Sequence, residues 1–290
     1  MAVAAFPPGA DPPVTPRSEG LPVPPNPPGP PSSSWQLGVR ALRCWLTVYR
    51  RIWRASVWSS VLGPLFYLGA LGYGLGSLVD KHGTAALGGV PYLVLVAPAI
   101  LATQAMNSGI AEASFPVFGS VKWNKIYIAA QATPLRPADI FRGHLLFIGL
   151  RITMNSAIFI VFMALFGTIE SPWAVLLLPA AVLTGIAFAA PIASWAVTLK
   201  RETPFNYIFR FGAVPMMLFS GTFFPVTQLP GWLQPLVYAT PLWHGVALCR
   251  GLSLGNIDLA SAAIHVAYLT ALAAAGLWAG ARTYRRRLYV

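Results

Sequence analysis

Six long apolar stretches constrain the fold of this sequence more than any other feature. Each is close to the length of about 20 residues that a helix needs to cross a hydrocarbon core of about 30 Å, and charges lie almost only at the ends. Only 10% of all residues are charged, whereas soluble domains have about a quarter. We therefore predict an all-α membrane protein with six transmembrane helices, at residues 57–79, 91–111, 145–167, 172–199, 206–224 and 259–281.

The positive charges indicate how these helices are oriented. Apart from Lys81 and Arg250, the Lys and Arg near the ends of the spans lie in alternate connections. Cytoplasmic connections of membrane proteins are enriched in Lys and Arg. We therefore expect a multi-pass protein of the bacterial plasma membrane with both termini in the cytoplasm, including a basic C-terminus at 285–290. Because no folded basic domain remains, we do not expect nucleic-acid binding.

Two different segments precede the first span. Residues 1–34 contain twelve prolines and almost no large apolar groups, so we predict a disordered cytoplasmic tail. In residues 35–56 apolar side chains recur every three or four positions and the arginines fall on a separate arc, which is typical of an amphipathic helix at a membrane interface. The alternative is a positive flank that only orients the first span.

The sequence contains no recognisable energy source or catalytic motif. None of its lysines follows a glycine, as the phosphate-binding G-x-x-x-x-G-K-[ST] motif requires, and no carboxylate lies deep within a span. Its four histidines lack metal-ligand spacing. We therefore predict a non-catalytic membrane subunit that itself binds no metal or cofactor. The alternative is a membrane-embedded enzyme or assembly factor acting on lipid-linked sugar, which a carboxylate pair or metal-ligand cluster near one membrane face would favour.

Two connections carry more structure than simple loops. Residues 112–144 have room for a short helix around 120–131 and a turn at Thr133-Pro134-Leu135, and Pro137 suits the first turn of the next helix. The segment Pro225–Leu254 is mostly apolar but is broken by prolines, so it is too interrupted to span and too apolar for a free loop. We expect it to form short re-entrant helices in the outer leaflet.

Several motifs resemble those of ABC-2 type exporter permeases, in particular the permeases of nodulation lipo-oligosaccharide exporters and their drug-exporting relatives. The motifs are ATPLRPADI (132–140), FNYIF (205–209), SGTFFPVTQLPGWLQPL (220–236) and TPLWHGVALCRGL (240–252). The last two are the most specific, because their spacing of Phe-Phe-Pro, Leu-Pro and Pro-Leu-x-His is unlikely from composition alone. The resemblance extends from residue 36 to residue 285, with a permease domain at 57–284.

The resemblance implies a six-helix permease that exports an amphipathic substrate, such as a lipo-oligosaccharide, a glycolipid or a hydrophobic drug. It implies a second permease copy or a paralogue as partner, surrounding membrane lipid, and a separate ABC ATPase subunit that binds ATP and Mg. The residues that would contact this ATPase are Lys122, Trp123, Lys125, Ile126, Thr133, Pro134 and Leu135. The outer re-entrant segment would include Pro225, Pro230, Trp232, Pro241 and His244.

Arg151 is the one charged residue well inside a predicted span. A guanidinium facing lipid costs at least about 2.5 kcal/mol, so Arg151 should face protein or water. It either meets an anionic group of the substrate or has a structural partner, such as a backbone carbonyl, Asn155 or a carboxylate at a neighbouring helix end. The residues expected along the substrate pathway are Arg151, Phe205, Asn206, Phe219, Phe223 and Phe224.

Overall fold

The computed structural model describes residues 34–81, 89–133 and 135–288. These residues form helices and connecting turns without any strand, which confirms the predicted all-α class. The predicted proline-rich tail lies outside them except for Ser34, as do Pro134 and the last two residues of the predicted basic C-terminus. Within the described residues, five helical stretches are long and apolar enough to cross a membrane, at Ser60–Lys81, Tyr92–Lys122, Pro137–Leu165, Pro172–Ala196 and Leu259–Leu288.

The first helical run is longer than the sequence indicated. Helix α1 (Ser34–Gly69) continues through a π-helical stretch (Ala70–Gly76) into helix α2 (Ser77–Lys81). The predicted amphipathic helix 35–56 and the first span are therefore continuous, with no break at residue 56. No Gly or Pro occurs between Gly38 and Gly63, so the sequence there contains no helix-ending residue.

A central group of long helices forms the bundle. Helix α3 (Tyr92–Ala113) is the most buried of them, and it packs against α6 (Pro137–Leu165) and α7 (Leu177–Ala196). Helix α12 (Leu259–Leu288) covers another side of α7. Glycines allow these helices to approach closely, since a Cβ on Gly109 would clash with the Gly185 carbonyl and one on Gly276 would clash with Pro191.

The bundle has two chemically different ends. The basic end holds the connection 114–136, the turn 197–202 and the arginines in the last turn of α12. The opposite end holds the connections 166–171 and 255–258.

The connection at the basic end contains two short helices. They are α4 (Phe115–Lys122) and α5 (Ile126–Gln131). Lys125, between them, has a left-handed backbone with a φ of 51°. The single helix predicted around 120–131 is therefore wrong, because a lysine at positive φ interrupts the regular helical backbone. Pro137 occupies the first turn of α6, as predicted.

The predicted fifth span, residues 206–224, differs most from expectation. Its helical part consists of α8 (Thr203–Tyr207), a π-helical stretch (Ile208–Ala213) and α9 (Val214–Phe219), with five, six and six residues. The helix ends at Phe219, and the following bend contains Gly221 with a φ of 80°. This run is therefore not among the five long helices.

The segment after this bend returns into the bundle. A 3₁₀ turn (Val226–Gln228) and α10 (Gln234–Tyr238) lead to α11 (Pro241–Leu254). Helix α11 packs against α3, α7 and α12, and its Gly245 lies directly against Thr184 of α7. At the opposite end the Ser253 hydroxyl donates a hydrogen bond to the Thr168 carbonyl, at 3.2 Å.

Candidate functional site

Helix α5 is fixed to the bundle by one buried side chain. Tyr127 is fully buried, and its hydroxyl forms hydrogen bonds with His144 Nδ1 of α6 and with the Tyr284 hydroxyl of α12, the latter at 3.3 Å. Trp45 of α1 stacks on the His144 ring with a centroid distance of 3.9 Å. A six-residue helix at the basic end is thereby connected to three long helices.

The chemistry of this cluster is that of a neutral, water-excluded network. Burial, reinforced by the neighbouring Tyr284, raises the pKa of Tyr127 well above its usual value, so the hydroxyl stays protonated. His144 Nε2 is buried and has no hydrogen-bond partner among the described residues. A buried polar group without a hydrogen-bond partner costs about 1–3 kcal/mol. Of the two ring nitrogens of His144, only Nδ1, which contacts Tyr127 of α5, has a partner among the described residues.

The surface of the basic-end connection is basic and aromatic. Lys122, Trp123 and Lys125 are exposed, with 57% of Trp123 accessible, and Ile126 is partly buried. The Trp123 ring contacts Phe118 edge-on, at a centroid distance of 5.6 Å. The outer face of α4 and α5 therefore presents apolar area and positive charge together.

The remaining residues predicted for this surface lie beyond the end of α5. Thr133 is exposed, whereas Leu135 is partly buried and packs on the core. Pro134 lies outside the described residues. The predicted set is thus divided between the two ends of α5, and Tyr127 lies between them facing inward.

A neighbouring turn, which the sequence did not single out, extends this surface. Lys200, Arg201 and Glu202 line a cleft of about 360 Å³ together with Lys122 and Trp123. The positive charges of Lys200 and Arg201 had been used only to orient the spans. No periodicity or motif relates residues this far apart, so only the packing of the helices brings them together.

Arg151 has a carboxylate partner inside the bundle. Its Nε donates a hydrogen bond to Glu112 Oε1 at 3.0 Å, and its guanidinium lies over the Tyr49 ring, 5.0 Å from the centroid. Both charged side chains are mostly buried, with 15% and 19% exposed. One of the partners considered for Arg151, the carboxylate at a neighbouring helix end, is thus in contact with it.

A small polar cavity adjoins this ion pair, between α1, α3 and α6. It has a volume of about 150 Å³ and is lined by Ser60, Gln104, Ser108, Arg151 and Asn155, with Pro64 and Phe159. The Ser60 hydroxyl donates to Asn155 Oδ1 at 2.7 Å, and Asn155 Nδ2 donates to Ser108 Oγ at 3.3 Å. Polar groups at this depth are costly and often functional in membrane proteins, so this cavity is the candidate polar site within the bundle.

The aromatic residues expected along the substrate pathway do not join this cavity. Phe205 is fully buried at the basic end, where its ring packs against Phe115 at a centroid distance of 5.1 Å. Asn206 and Phe219 are exposed, while Phe223 and Phe224 are partly buried in the bend after α9. The structure therefore separates the predicted pathway residues into several locations.

The predicted outer segment is held by Arg250, a residue that the sequence analysis had used only in counting charges between the spans. Arg250 of α11 donates to the Gly221 carbonyl at 2.7 Å and to the Leu95 carbonyl at 3.1 Å. Among the described residues no carboxylate pairs with it. The guanidinium instead joins the start of α3 to the bend after α9, where helical hydrogen bonding stops.

The residues predicted for the outer segment lie around α10 and α11. Pro230 and Trp232 are exposed, Pro225 is partly buried, and Pro241 begins α11. His244 is buried, with its Nδ1 2.8 Å from Nδ1 of His265 in α12. Within the described residues no group of three or more His, Cys, Asp or Glu is arranged to hold a metal ion.

Comparisons with known proteins define the class of this chain. Residues 36–254 match the ABC-2 type transporter family, which is three quarters of the chain, so the chain belongs to that family. It is therefore a multi-pass membrane protein of a transporter, and the resemblance inferred from its motifs is confirmed.

Three relatives of this chain are each called Nodulation protein J. The chain is 31% identical over 269 residues to Nodulation protein J of Rhizobium meliloti (strain 1021), covering 88% of this chain and 99% of that protein. It is 29% identical to Nodulation protein J of Sinorhizobium fredii (strain NBRC 101917 / NGR234), with coverages of 84% and 94%. It is 33% identical to that of Rhizobium leguminosarum bv. trifolii, with coverages of 73% and 82%.

Proposed function

We propose that this chain is the permease subunit of an ABC exporter in the bacterial plasma membrane. It moves an amphipathic substrate outward, of the lipo-oligosaccharide, glycolipid or hydrophobic drug class, and a separate ATPase subunit binds ATP and Mg and supplies the energy. The observation that carries the proposal is the connection of an exposed basic and aromatic surface to three long helices through Tyr127, in a chain of the ABC-2 type transporter family.

The proposed topology has six crossings with the basic end in the cytoplasm. The fifth crossing is the run 203–219, which at about 1.5 Å per residue is about 25 Å long and falls slightly short of a hydrocarbon core of about 30 Å. The bend after it contacts the middle of α3, since the buried hydroxyls of Thr222 and Thr103 are 3.3 Å apart. The contact of Gly245 with Thr184 supports a re-entrant path for α11.

The proposed assembly contains two permeases and two ATPase subunits. The second permease is another copy of this chain or a paralogue. The run 203–219 exposes large apolar side chains, including Tyr207 at 59% and Phe211 at 75%. A second permease packed against this face would remove that apolar surface from contact with lipid.

The proposed coupling path runs from the ATPase surface into the bundle. The ATPase contacts the exposed side chains of Lys122, Trp123 and Lys125 together with Ile126, and at the other end of α5 Thr133, Pro134 and Leu135. Since Tyr127 projects inward between these contacts, a displacement of α5 is transmitted to α1, α6 and α12. Packed side chains and hydrogen bonds of this kind carry coupling between distant sites.

The test is co-purification of the chain with its ATPase, combined with an export assay in cells. Changing Lys122, Trp123 and Ile126 together to Ala should reduce ATPase recovery or uncouple ATP hydrolysis from export. The matched control changes three residues of the outer segment to Ala, namely Gln228, Trp232 and Leu236, and should leave ATPase recovery unchanged.

Two results would contradict the proposal. Unchanged ATPase recovery and unchanged export in the Lys122/Trp123/Ile126 variant would show that the connection 114–136 does not contact the ATPase and only joins two helices. Turnover of a lipid-linked sugar by the purified chain without any ATPase would instead support the membrane-embedded enzyme.

A further inference from the structure

A large apolar groove lies on the outside of the bundle, between α1, α6, α7 and α12. Its volume is about 820 Å³, and its walls include Leu42, Leu146, Leu150, Ile186 and Leu277. Among the described residues that line it, the one charged residue is Arg142, in the second turn of α6 and therefore near the basic end. The groove thus has a positive charge at one end and aliphatic side chains along the rest.

The dimensions of this groove match one leaflet of a bilayer. From Arg142 to Leu150 the axis of α6 rises by about 12 Å, at about 1.5 Å per residue. Half of a hydrocarbon core of about 30 Å is about 15 Å. An acyl chain that follows α6 from Arg142 would therefore cover most of the depth of one leaflet.

Glycines shape the floor and one wall of the groove. Gly149 leaves space in front of Ile186, because an added Cβ would lie 3.4 Å from Ile186 Cδ1. Gly143 lets α1 cross α6 closely, since a Cβ there would clash with Ala41. That crossing brings Leu42 to the end of the groove at which Arg142 lies.

The guanidinium of Arg142 is available to an anion. Its side chain is 48% exposed, and its ion pair with the Asp139 carboxylate is 3.8 Å long, which is too long for a hydrogen bond and leaves the guanidinium donors free for another acceptor. Asp139 is itself buried and accepts a hydrogen bond from the Arg136 backbone N–H. Guanidinium groups bind phosphate oxygens through paired hydrogen bonds, so the donors of Arg142 suit a phosphodiester.

A second pair of residues indicates the membrane boundary at the same end. Trp278 follows Leu277 in α12 and is 66% exposed, and the Arg282 guanidinium lies over its ring, 5.1 Å from the centroid. Trp and Arg side chains are typical of the interface between acyl chains and headgroups. Leu277 therefore lies just inside the apolar region, at the level where a lipid glycerol would meet the groove.

We infer that this groove binds one anionic phospholipid of the leaflet at the basic end. The phosphate contacts Arg142, and an acyl chain lies along Leu146, the Gly149 floor and Leu150. This site needs neither the ATPase nor the transported substrate, so it goes beyond the proposed export function and can fail independently of it.

The test measures lipid retention by the purified full-length chain with native mass spectrometry. The probes are palmitoyl-oleoyl phosphatidylglycerol and the zwitterionic phosphatidylcholine with the same acyl chains, added at equal concentration after delipidation. Wild type should retain one phosphatidylglycerol in preference to phosphatidylcholine. Arg142→Gln should lower phosphatidylglycerol retention about tenfold, as expected for the loss of a charge-assisted contact, and Arg142→Lys should restore part of it.

Three further variants separate a specific site from general contact with lipid. Gly149→Leu fills the groove and should reduce retention of both lipids. Leu150→Trp obstructs it from an exposed position and should act in the same way if Gly149→Leu fails to fold. Arg286→Gln removes an exposed charge at the same end without lining the groove, and should behave as wild type.

The inference is overturned by equal retention of the two lipids in wild type, which would mean annular contact only. Wild-type retention by Arg142→Gln would also overturn it. So would a change from dimer to monomer in Gly149→Leu or Leu150→Trp without any effect on lipid, since the groove would then be an interface between copies of the chain.

Discussion

Replacing Tyr127 with Phe removes a single hydroxyl from the cluster that joins α5 to the bundle. The aromatic ring still fills its buried position, so the packing against Tyr284 and His144 is preserved. What is lost is the hydrogen bond to His144 Nδ1 and the contact with the Tyr284 hydroxyl. Since His144 Nε2 already lacks a partner among the described residues, both ring nitrogens then become unsatisfied.

The cost of this change follows from the burial of the groups left behind. An unsatisfied buried donor or acceptor costs about 1–3 kcal/mol. Most of this cost should fall on α5, because Tyr127 is the one fully buried residue among its described side chains and Ile128 beside it is 50% exposed. We therefore expect α5 to open locally more often, by about tenfold for each 1.4 kcal/mol, while the long helices stay folded.

Hydrogen exchange of the reconstituted permease, read on peptides that cover residues 126–131, is the direct assay. Exchange there should accelerate in Tyr127→Phe, and export per ATP hydrolysed should fall, while thermal stability changes little. Tyr67→Phe removes a hydroxyl from an exposed tyrosine of α1 and is the control. Wild-type exchange in α5 together with wild-type coupling would show that the Tyr127 hydroxyl transmits nothing and that its hydrogen bonds are incidental.

Three shorter predictions concern other charged groups and the topology. Arg151→Leu leaves the Glu112 carboxylate without its partner, so the amount of protein in membrane fractions should fall. Adding Glu112→Leu should restore that amount. If it does not, the ion pair is not what stabilises this part of the bundle. A single cysteine at Gly255 should react with an impermeant maleimide from outside the cell, whereas one at Asn124 should not, and external labelling of Asn124 would refute the orientation. Arg250→Gln should lower the apparent Tm of the purified protein, because two backbone carbonyls lose a charged donor, and an unchanged Tm would contradict the anchoring role.

Much of the helical framework could be predicted because it depends on local properties of the sequence. Long apolar stretches, with charges only at their ends, locate the five long helices, although α6 begins at Pro137 instead of residue 145 and α12 continues to Leu288 instead of ending at residue 281. Pro137 indicates the start of α6, since proline suits the first turn of a helix. The same reasoning makes the predicted fifth span too long, because the apolar sequence continues to Phe224 although helix α9 ends at Phe219.

The contacts of the candidate site could not be predicted in this way. Tyr127 and Tyr284 are 157 residues apart, and nothing in the sequence around either marks it as a partner of the other. The sequence identifies Glu112 only as a carboxylate at the end of a span, and it does not show that a Glu112 oxygen contacts Arg151. Lys125 has a positive φ that the sequence does not indicate, and this backbone divides the predicted helix into α4 and α5.

The end of the helical run 203–219 at Phe219 and the partly buried charge of Arg250 complement each other. After Phe219 the backbone leaves the helix, and its carbonyl groups need donors from elsewhere, because unsatisfied backbone groups are not tolerated inside a membrane. Arg250 needs acceptors, since none of the described carboxylates pairs with it and a buried guanidinium is costly without hydrogen bonds. The Gly221 carbonyl meets both needs at 2.7 Å, and Gly221 can adopt the positive φ of this bend without strain. Because Pro225 has no backbone N–H, even a helix that continued to residue 224 would leave the Gly221 carbonyl without an intrahelical donor, so the arginine in α11 supplies a hydrogen bond that the local sequence cannot.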